Sequence, residues 1–142
     1  MTDKTASIHW EGQGKKGVGK ITTQTDALKS YPYGFASRFE DDRRGTNPEE
    51  LLAAAHAACF TMALSLILGE AKLSAEQMET KADVTLEKQG DGFAITSVHL
   101  TLTAKIPGAD KAKFDELTGM AKAGCPVSKL LNTKITLDAT LL

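Results

Sequence analysis

Asn47-Pro48-Glu49-Glu50-Leu51-Leu52-Ala53-Ala54-Ala55-His56-Ala57-Ala58-Cys59-Phe60, running on uncharged through Gly69, is the stretch on which the fold of this chain turns. It opens like a helix. The Asn47 side-chain oxygen can accept from an orphan backbone N–H at the first turn. Pro48 suits the first helical position, where no N–H is needed. Glu50, three residues after Asn47, completes a capping-box spacing, and both acids favour the positive end of the helix. From Leu51 to Gly69 no residue carries a charge. A helix that is apolar all round is expected to be buried on every side. One of the two cysteines sits in its middle.

The same stretch is long enough to raise the question of a membrane span. Its alanine content, the polar His56, Thr61 and Ser65, and the lack of Lys or Arg just before it argue against one. A helix sandwiched between sheets, or between two subunits, accounts for it better. The rest of the chain agrees. With 142 residues, 42% hydrophobic and 25% charged, a single domain over residues 1–142 with a substantial core is expected. Net charge is −1 and the basic residues are scattered, so neither a nucleic-acid nor a membrane partner is expected. Met1–Thr5 lacks the apolar core of a signal peptide. The expected compartment is the cytoplasm, where cysteines stay reduced unless they do redox work.

Working outward from the helix, Ser7–Glu11 and Val18–Thr23 read as a hairpin across a glycine-rich turn. That turn carries two nucleotide-like patterns. Gly12-Gln13-Gly14-Lys15-Lys16-Gly17 fits G-x-G-x-x-G, and Gly14–Lys20 fits most of a phosphate loop, with Ile21 where a hydroxyl should meet magnesium. Both motifs require a following helix, and the β-branched sequel predicts a strand. Asp26–Pro32 reads as a polar connection. Tyr33–Glu40 reads as a strand with Phe35, Ser37 and Phe39 on one face, and Asp41–Gly45 as a solvated loop.

Beyond the central helix, Lys81–Lys88 alternates with Ala82, Val84 and Leu86 inward. Gln89-Gly90-Asp91-Gly92 is a hairpin turn. Phe93–Ile106 is the return strand, with Val98, Leu100, Leu102, Ala104 and Ile106 on one face. Ile95 falls out of phase, which predicts a bulge near Thr96 or Ser97. Ala109–Ala123 reads as a helix with Phe114, Leu117, Met120 and Ala121 as its stripe and Gly124 as its C′ residue. Cys125-Pro126-Val127-Ser128 restarts a short helix, and Thr133–Leu141 is a last strand. Strands arriving as hairpins predict the α+β class, with an antiparallel sheet around the long buried helix.

Two cysteines are too few for a zinc site, and His9, His56 and His99 show no ligand spacing with them, so no metal or other cofactor is expected. There is no nucleophile elbow for a serine hydrolase. What is left is thiol chemistry, or two buried structural cysteines. Cys125 sits at a predicted helix N-terminus, which favours a thiolate. Cys59 is mid-helix and would need a cation such as Arg38; otherwise it stays protonated and inert. His56, one turn before Cys59 on the same face, either assists the thiol or is a satisfied core histidine. Glu49 and Cys59 are about 15 Å apart along one helix and roughly 80° around it. If both serve one thiol site, a second subunit must supply one of them.

Gly45-Thr46-Asn47-Pro48-Glu49-Glu50-Leu51-Leu52 leading to His56-Ala57-Ala58-Cys59-Phe60, with Gly124-Cys125-Pro126-Val127-Ser128, resembles the OsmC/Ohr family of osmotically inducible and organic hydroperoxide resistance proteins. Tyr31-Pro32-Tyr33-Gly34-Phe35 with Arg38-Phe39-Glu40 is similar to its OsmC branch. The resemblance extends from His9-Trp10-Glu11-Gly12 to Ile135-Thr136-Leu137-Asp138. It implies an intertwined homodimer acting as a thiol peroxidase on organic hydroperoxides, and less efficiently on hydrogen peroxide, without metal or flavin. It implies Cys59 as the peroxidatic thiolate, Cys125 as the resolving cysteine joined to it in a disulfide, and Arg38 and Glu49 as the charged pair beside Cys59. This assignment reverses the dipole reading, which favours Cys125 as the reactive thiol. It also implies a dithiol reductant, of lipoyl type. Two other readings use the same residues: a redox-responsive sensor or binding protein without turnover, and a structural stress protein with inert thiols.

Overall fold

The computed structural model describes residues 1–142. Packing divides the chain into two compact units, residues 1–51 and 52–142.

In the first unit, β1 (Ala6–Glu11), β2 (Val18–Thr23) and β3 (Tyr31–Tyr33) form an antiparallel sheet in the order β1-β2-β3. The expected hairpin is present, with Ile8 opposite Ile21. Gly14–Lys16 is one 3₁₀ turn and Val18 already belongs to β2, so the glycine-rich loop opens a strand. Two of its glycines have a packing role. A Cβ at Gly17 would collide with the Trp10 ring, and one at Gly19 with the Tyr33 ring. Only glycine lets these aromatics lie across the strand.

The reading of Tyr33–Glu40 as one strand is corrected. The strand stops at Tyr33, and Phe35–Phe39 is a short helix, α1. The local hydrogen bonds decide this. Ser37 Oγ accepts from Gly34 N–H at 2.9 Å and donates to the Thr46 carbonyl at 2.7 Å. Alternation of Phe35, Ser37 and Phe39 is a weak signal against such side-chain capture of the backbone.

The central helix, α2, runs Pro48–Glu70. Its start is as expected: Asn47 Oδ1 accepts from Glu50 N–H at 2.8 Å. Asn47 Nδ2 also donates to the Ser37 carbonyl at 3.0 Å, tying this cap to α1.

In the second unit, β4 (Gln77–Gln89), β5 (Gly92–Lys105) and β6 (Lys134–Leu141) form a sheet in the order β4-β5-β6. Gly90, with φ +58°, and Asp91 make the predicted tight turn between β4 and β5. The predicted bulge is at Thr96: Thr85 pairs with Ser97 and Leu86 with Ile95, leaving Thr96 unopposed. The pairing of β4 with β5 is antiparallel, as expected. The last strand differs: β6 runs parallel to β5, reached through α3 (Lys111–Gly124) and α4 (Pro126–Leu130). A helical crossover of this length permits a parallel return that a hairpin would forbid.

The core of this unit joins Phe60, Leu64 and Leu68 of α2 to Val98, Leu100, Leu102 and Ala104 of β5 and to Phe114, Leu117 and Ala121 of α3. On α3 the stripe departs at one place. Thr118 is buried and Met120 is 49% exposed, and the helix continues through Gly124 to a cap at Cys125.

Within a single chain the cover of α2 is one-sided. Its buried side is the stripe His56, Phe60, Leu64 and Leu68, at helical i, i+4 spacing. On another face Met62 is 68% and Leu66 67% exposed. The helix is long and apolar enough to cross a membrane, yet one side is the centre of a folded core. Uniform apolarity means that several faces need cover, and within one chain only some of them have it.

Candidate functional site

Each predicted site residue lies on an element whose local chemistry fixes it. Arg38 is on α1 and Glu49 in the first turn of α2, both in the first unit. The hydrogen bonds among Ser37, Thr46 and Asn47 hold α1 against the start of α2. Arg38 Nη2 donates to Glu49 Oε1 at 2.7 Å, and Arg38 Nε lies 3.2 Å from both carboxylate oxygens. The Glu49 side chain is 10% exposed and that of Arg38 37%. This is a two-pronged, charge-assisted grip, the geometry for which guanidinium is suited and lysine is not. The guanidinium also lies 5.3 Å from the Phe39 ring centroid.

Beside Arg38 lies an aromatic cleft of about 300 Å³, lined by Trp10, Tyr33, Phe35 and Phe39. Tilted ring contacts, Trp10 with Tyr33 at 5.7 Å and Phe35 with Phe39 at 4.9 Å, shape its walls.

The cysteines are both in the second unit, and both are free thiols. Cys59 comes from the middle of α2. Cys125 caps the C-terminus of α3 and the N-terminus of α4 at once, with Pro126 at the first position of α4. The fold makes the two cysteines neighbours: Cys59 packs against the core cluster that contains Cys125, and the Val127 backbone N–H lies close enough to act on the Cys59 thiol. Burial pushes the Cys59 thiol above its ordinary range. The Val127 N–H acts in the opposite direction, and the neighbouring Cys125 thiol adds to the rise. A thiol in that setting is protonated until a positive charge is brought to it.

Thus Arg38 meets Glu49 and Cys59 meets Cys125, each pair within its own unit. His56 has a partner that the sequence did not point to. It does not bond Cys59: its Nε2 lies 2.8 Å from Ser128 Oγ. Its Nδ1 is buried with no partner. Ser128 Oγ is in turn 3.1 Å from Cys125 Sγ, and Ser128 N–H donates to the same sulfur at 3.4 Å. Burial holds the His56 ring below its ordinary range, which keeps it neutral. The available signal for Ser128 is its position three residues after a capping Cys125, where capping side chains meet backbone N–H groups.

Comparison with known proteins adds a second line of observation. Residues 40–140 match the family model described as OsmC-like protein. The chain is 51% identical over 138 residues to the peroxiredoxin OsmC of Escherichia coli, covering 97% of this chain and 96% of that one. It is 34% identical over 98 residues to an organic hydroperoxide resistance protein of Xanthomonas axonopodis pv. citri, covering 68% and 67%. Among solved structures, the organic hydroperoxide resistance protein OhrB of Bacillus subtilis superposes with a TM-score of 0.68 at 30% identity, covering 97% of this chain and 98% of that one.

Proposed function

The chain belongs to the OsmC-like family, and we propose that it is a peroxidase that reduces organic hydroperoxides with the Cys59–Cys125 pair. The observation that carries this reading is the meeting of two free thiols from distant parts of the chain, one on α2 and one at the cap of α4.

In the proposed cycle the Cys59 thiolate attacks the terminal peroxide oxygen. The O–O bond breaks, an alcohol leaves after taking up a proton, and Cys59 becomes a sulfenic acid. The Cys125 sulfur attacks the Cys59 sulfur, the S–O bond breaks, and water leaves. The resulting disulfide is reopened by a dithiol, of lipoyl type, through thiol–disulfide exchange. A reducing compartment, the cytoplasm, keeps the dithiol available.

Cys59 needs a cation, because burial raises its pKa and the neighbouring Cys125 thiol adds to the rise. Arg38 is the proposed source. Its partner Glu49 is about 15 Å along the helix from the Cys59 of the same chain, so the cation comes from a second copy. Two features support a homodimer. The α2 face carrying Ala58, Met62 and Leu66 is open, and it borders a cleft of about 570 Å³ with Met78 and Thr80. The first unit buries little apolar surface, with Ile8 and Val18 both more than half exposed. A pair of such chains covers both kinds of surface.

The aromatic cleft beside Arg38 supports an apolar peroxide over hydrogen peroxide. A steady-state assay with a dihydrolipoyl reductant tests the whole reading. Cumene hydroperoxide should be consumed continuously, with kcat/KM at least about tenfold above that for hydrogen peroxide, and Cys59→Ser should abolish turnover. Equal values for both peroxides would remove the apolar preference. Disulfide formation without turnover on any dithiol would favour a sensor.

A further inference from the structure

The proposed cycle uses the two sulfurs and Arg38. It leaves unexplained a buried polar chain that ends on one of those sulfurs. His56 and Cys125 are fully buried and Ser128 nearly so. Nε2 of His56, Oγ of Ser128 and Sγ of Cys125 follow one another at 2.8 and 3.1 Å. A histidine placed there only to fill space would leave its polar atoms unpaired at a substantial penalty. This one spends one nitrogen on Ser128 and leaves the other without a partner.

We propose that His56 and Ser128 are positioning residues for the resolving step: a buried relay that aims the Cys125 sulfur and holds its proton while Cys125 attacks the oxidised Cys59. The inference rests on the peroxidase reading and deepens it.

The hydrogen-bond chain can run in two directions. With the His56 ring proton on Nδ1, Ser128 donates to Nε2 and accepts from the Cys125 thiol. With a proton on Nε2, that N–H donates to Ser128 Oγ, and the Ser128 hydroxyl donates to a Cys125 thiolate. The second arrangement places two donors on the sulfur, because the Ser128 backbone N–H already points at it. A neutral buried ring can serve in both arrangements, whereas a permanently charged one serves only in the second.

The balance of the step is simple. Cys125–SH and Cys59–SOH become the disulfide and water. The S–S bond forms as the S–O bond breaks. The proton leaving Cys125 passes through Ser128 to His56, the hydroxide expelled from Cys59 takes a proton from solvent and leaves as water, and His56 afterwards gives its proton up to solvent, so the step has no net gain or loss of protons. The relay touches Cys125 and has no hydrogen bond to Cys59. It should therefore govern disulfide closure and leave peroxide attack alone.

The test separates those two half-reactions in full-length protein. Parental protein, Ser128→Ala and His56→Gln are each mixed with one equivalent of cumene hydroperoxide without reductant. Peroxide loss and disulfide closure are followed separately by rapid quench and mass spectrometry. Glutamine can still hydrogen-bond Ser128 but cannot take a proton. Circular dichroism confirms that each variant is folded, and either folded variant suffices. The expected result is peroxide loss within about twofold of parental, and closure slowed about tenfold or more. With dimedone in the mixture a Cys59 adduct should accumulate, and a second equivalent of hydroperoxide should carry the unresolved Cys59 on to the sulfinic acid. In addition, closure in the parental protein should slow in deuterium oxide, and this isotope effect should shrink in His56→Gln. Closure at the parental rate in a folded variant overturns the relay. So does a parallel loss of both half-reactions, which would mean general damage to the site. If the parental protein itself consumes no peroxide, the peroxidase reading has failed rather than the relay alone.

Discussion

Arg38 grips Glu49 with two nitrogens, the shorter contact being 2.7 Å, although one side chain comes from a short helix and the other from the first turn of α2. The pair places a cation at an aromatic cleft and holds it there by a carboxylate that is nearly buried. Arg38→Met should slow peroxide attack by about a hundredfold, because the cation is the proposed means of ionising Cys59. The loss of stability should be modest, about 1–2 kcal/mol, since the Arg38 side chain is itself partly solvated. Stopped-flow peroxide consumption and urea melts measure the two effects separately. A variant as fast as the parental protein would remove Arg38 from the reaction.

Cys125→Ser should complete one turnover and then stop. With no second sulfur in reach, the Cys59 sulfenic acid reacts with further peroxide to a sulfinic acid. Intact mass after treatment with excess hydroperoxide reads this directly. Sustained turnover by this variant would assign resolution to another thiol.

The exposed α2 face yields a prediction on assembly. Leu66→Lys and Met62→Lys put charge on a surface proposed to be a subunit seam. Buried unpaired charge at an interface costs several kcal/mol, so the variants should sediment as monomers while the parental protein sediments as a dimer. Activity should fall with the loss of the dimer. Dimers at micromolar concentration in the double variant would move the seam elsewhere.

Gly17 and Gly19 give a packing test that also touches the substrate. An alanine at either site meets the Trp10 or Tyr33 ring. Overpacking of this kind costs about 1–3 kcal/mol, and the displaced ring belongs to the aromatic cleft. Gly19→Ala should lower Tm and raise KM for cumene hydroperoxide, with less effect on hydrogen peroxide.

His56 makes stability depend on pH in a definite direction. Burial depresses its folded pKa below the ordinary value near 6.5, so the unfolded chain takes up a proton first. Stability is full above about pH 6.5 and declines as pH falls from there toward the lower folded value. Within that window the slope is at most about 1.4 kcal/mol per pH unit for the one proton. His56→Gln should flatten that part of the curve in chemical melts run from pH 8 to pH 5. A slope unchanged by the substitution would place the proton uptake on another group.

Where sequence and structure agree, a strong local signal and its burial point the same way. The Asn47 cap, the Gly90-Asp91 turn and the phase slip at Ile95 are each legible, because each breaks or satisfies a simple period. Where they part, a nonlocal partner decides. Phe35–Phe39 alternates like a strand, but Ser37 finds the Thr46 carbonyl, and the backbone turns into a helix. The direction of β6 depends on a crossover through α3 and α4, which periodicity within the strand cannot report. At the site, the sequence supplies both cysteines, Arg38 and Glu49, and the structure pairs them two and two. The His56–Ser128 bond spans 72 positions and leaves no local mark.

The central claim is that Cys59 and Cys125 are one redox pair. The most direct test is to treat the reduced protein with a slight excess of cumene hydroperoxide, block remaining thiols, digest without reduction, and map peptides by mass. The expected result is a single cross-linked peptide joining Cys59 to Cys125, lost on adding a dithiol. Recovery of both cysteines as blocked free thiols, after peroxide that oxidises a control thiol peroxidase, would contradict it.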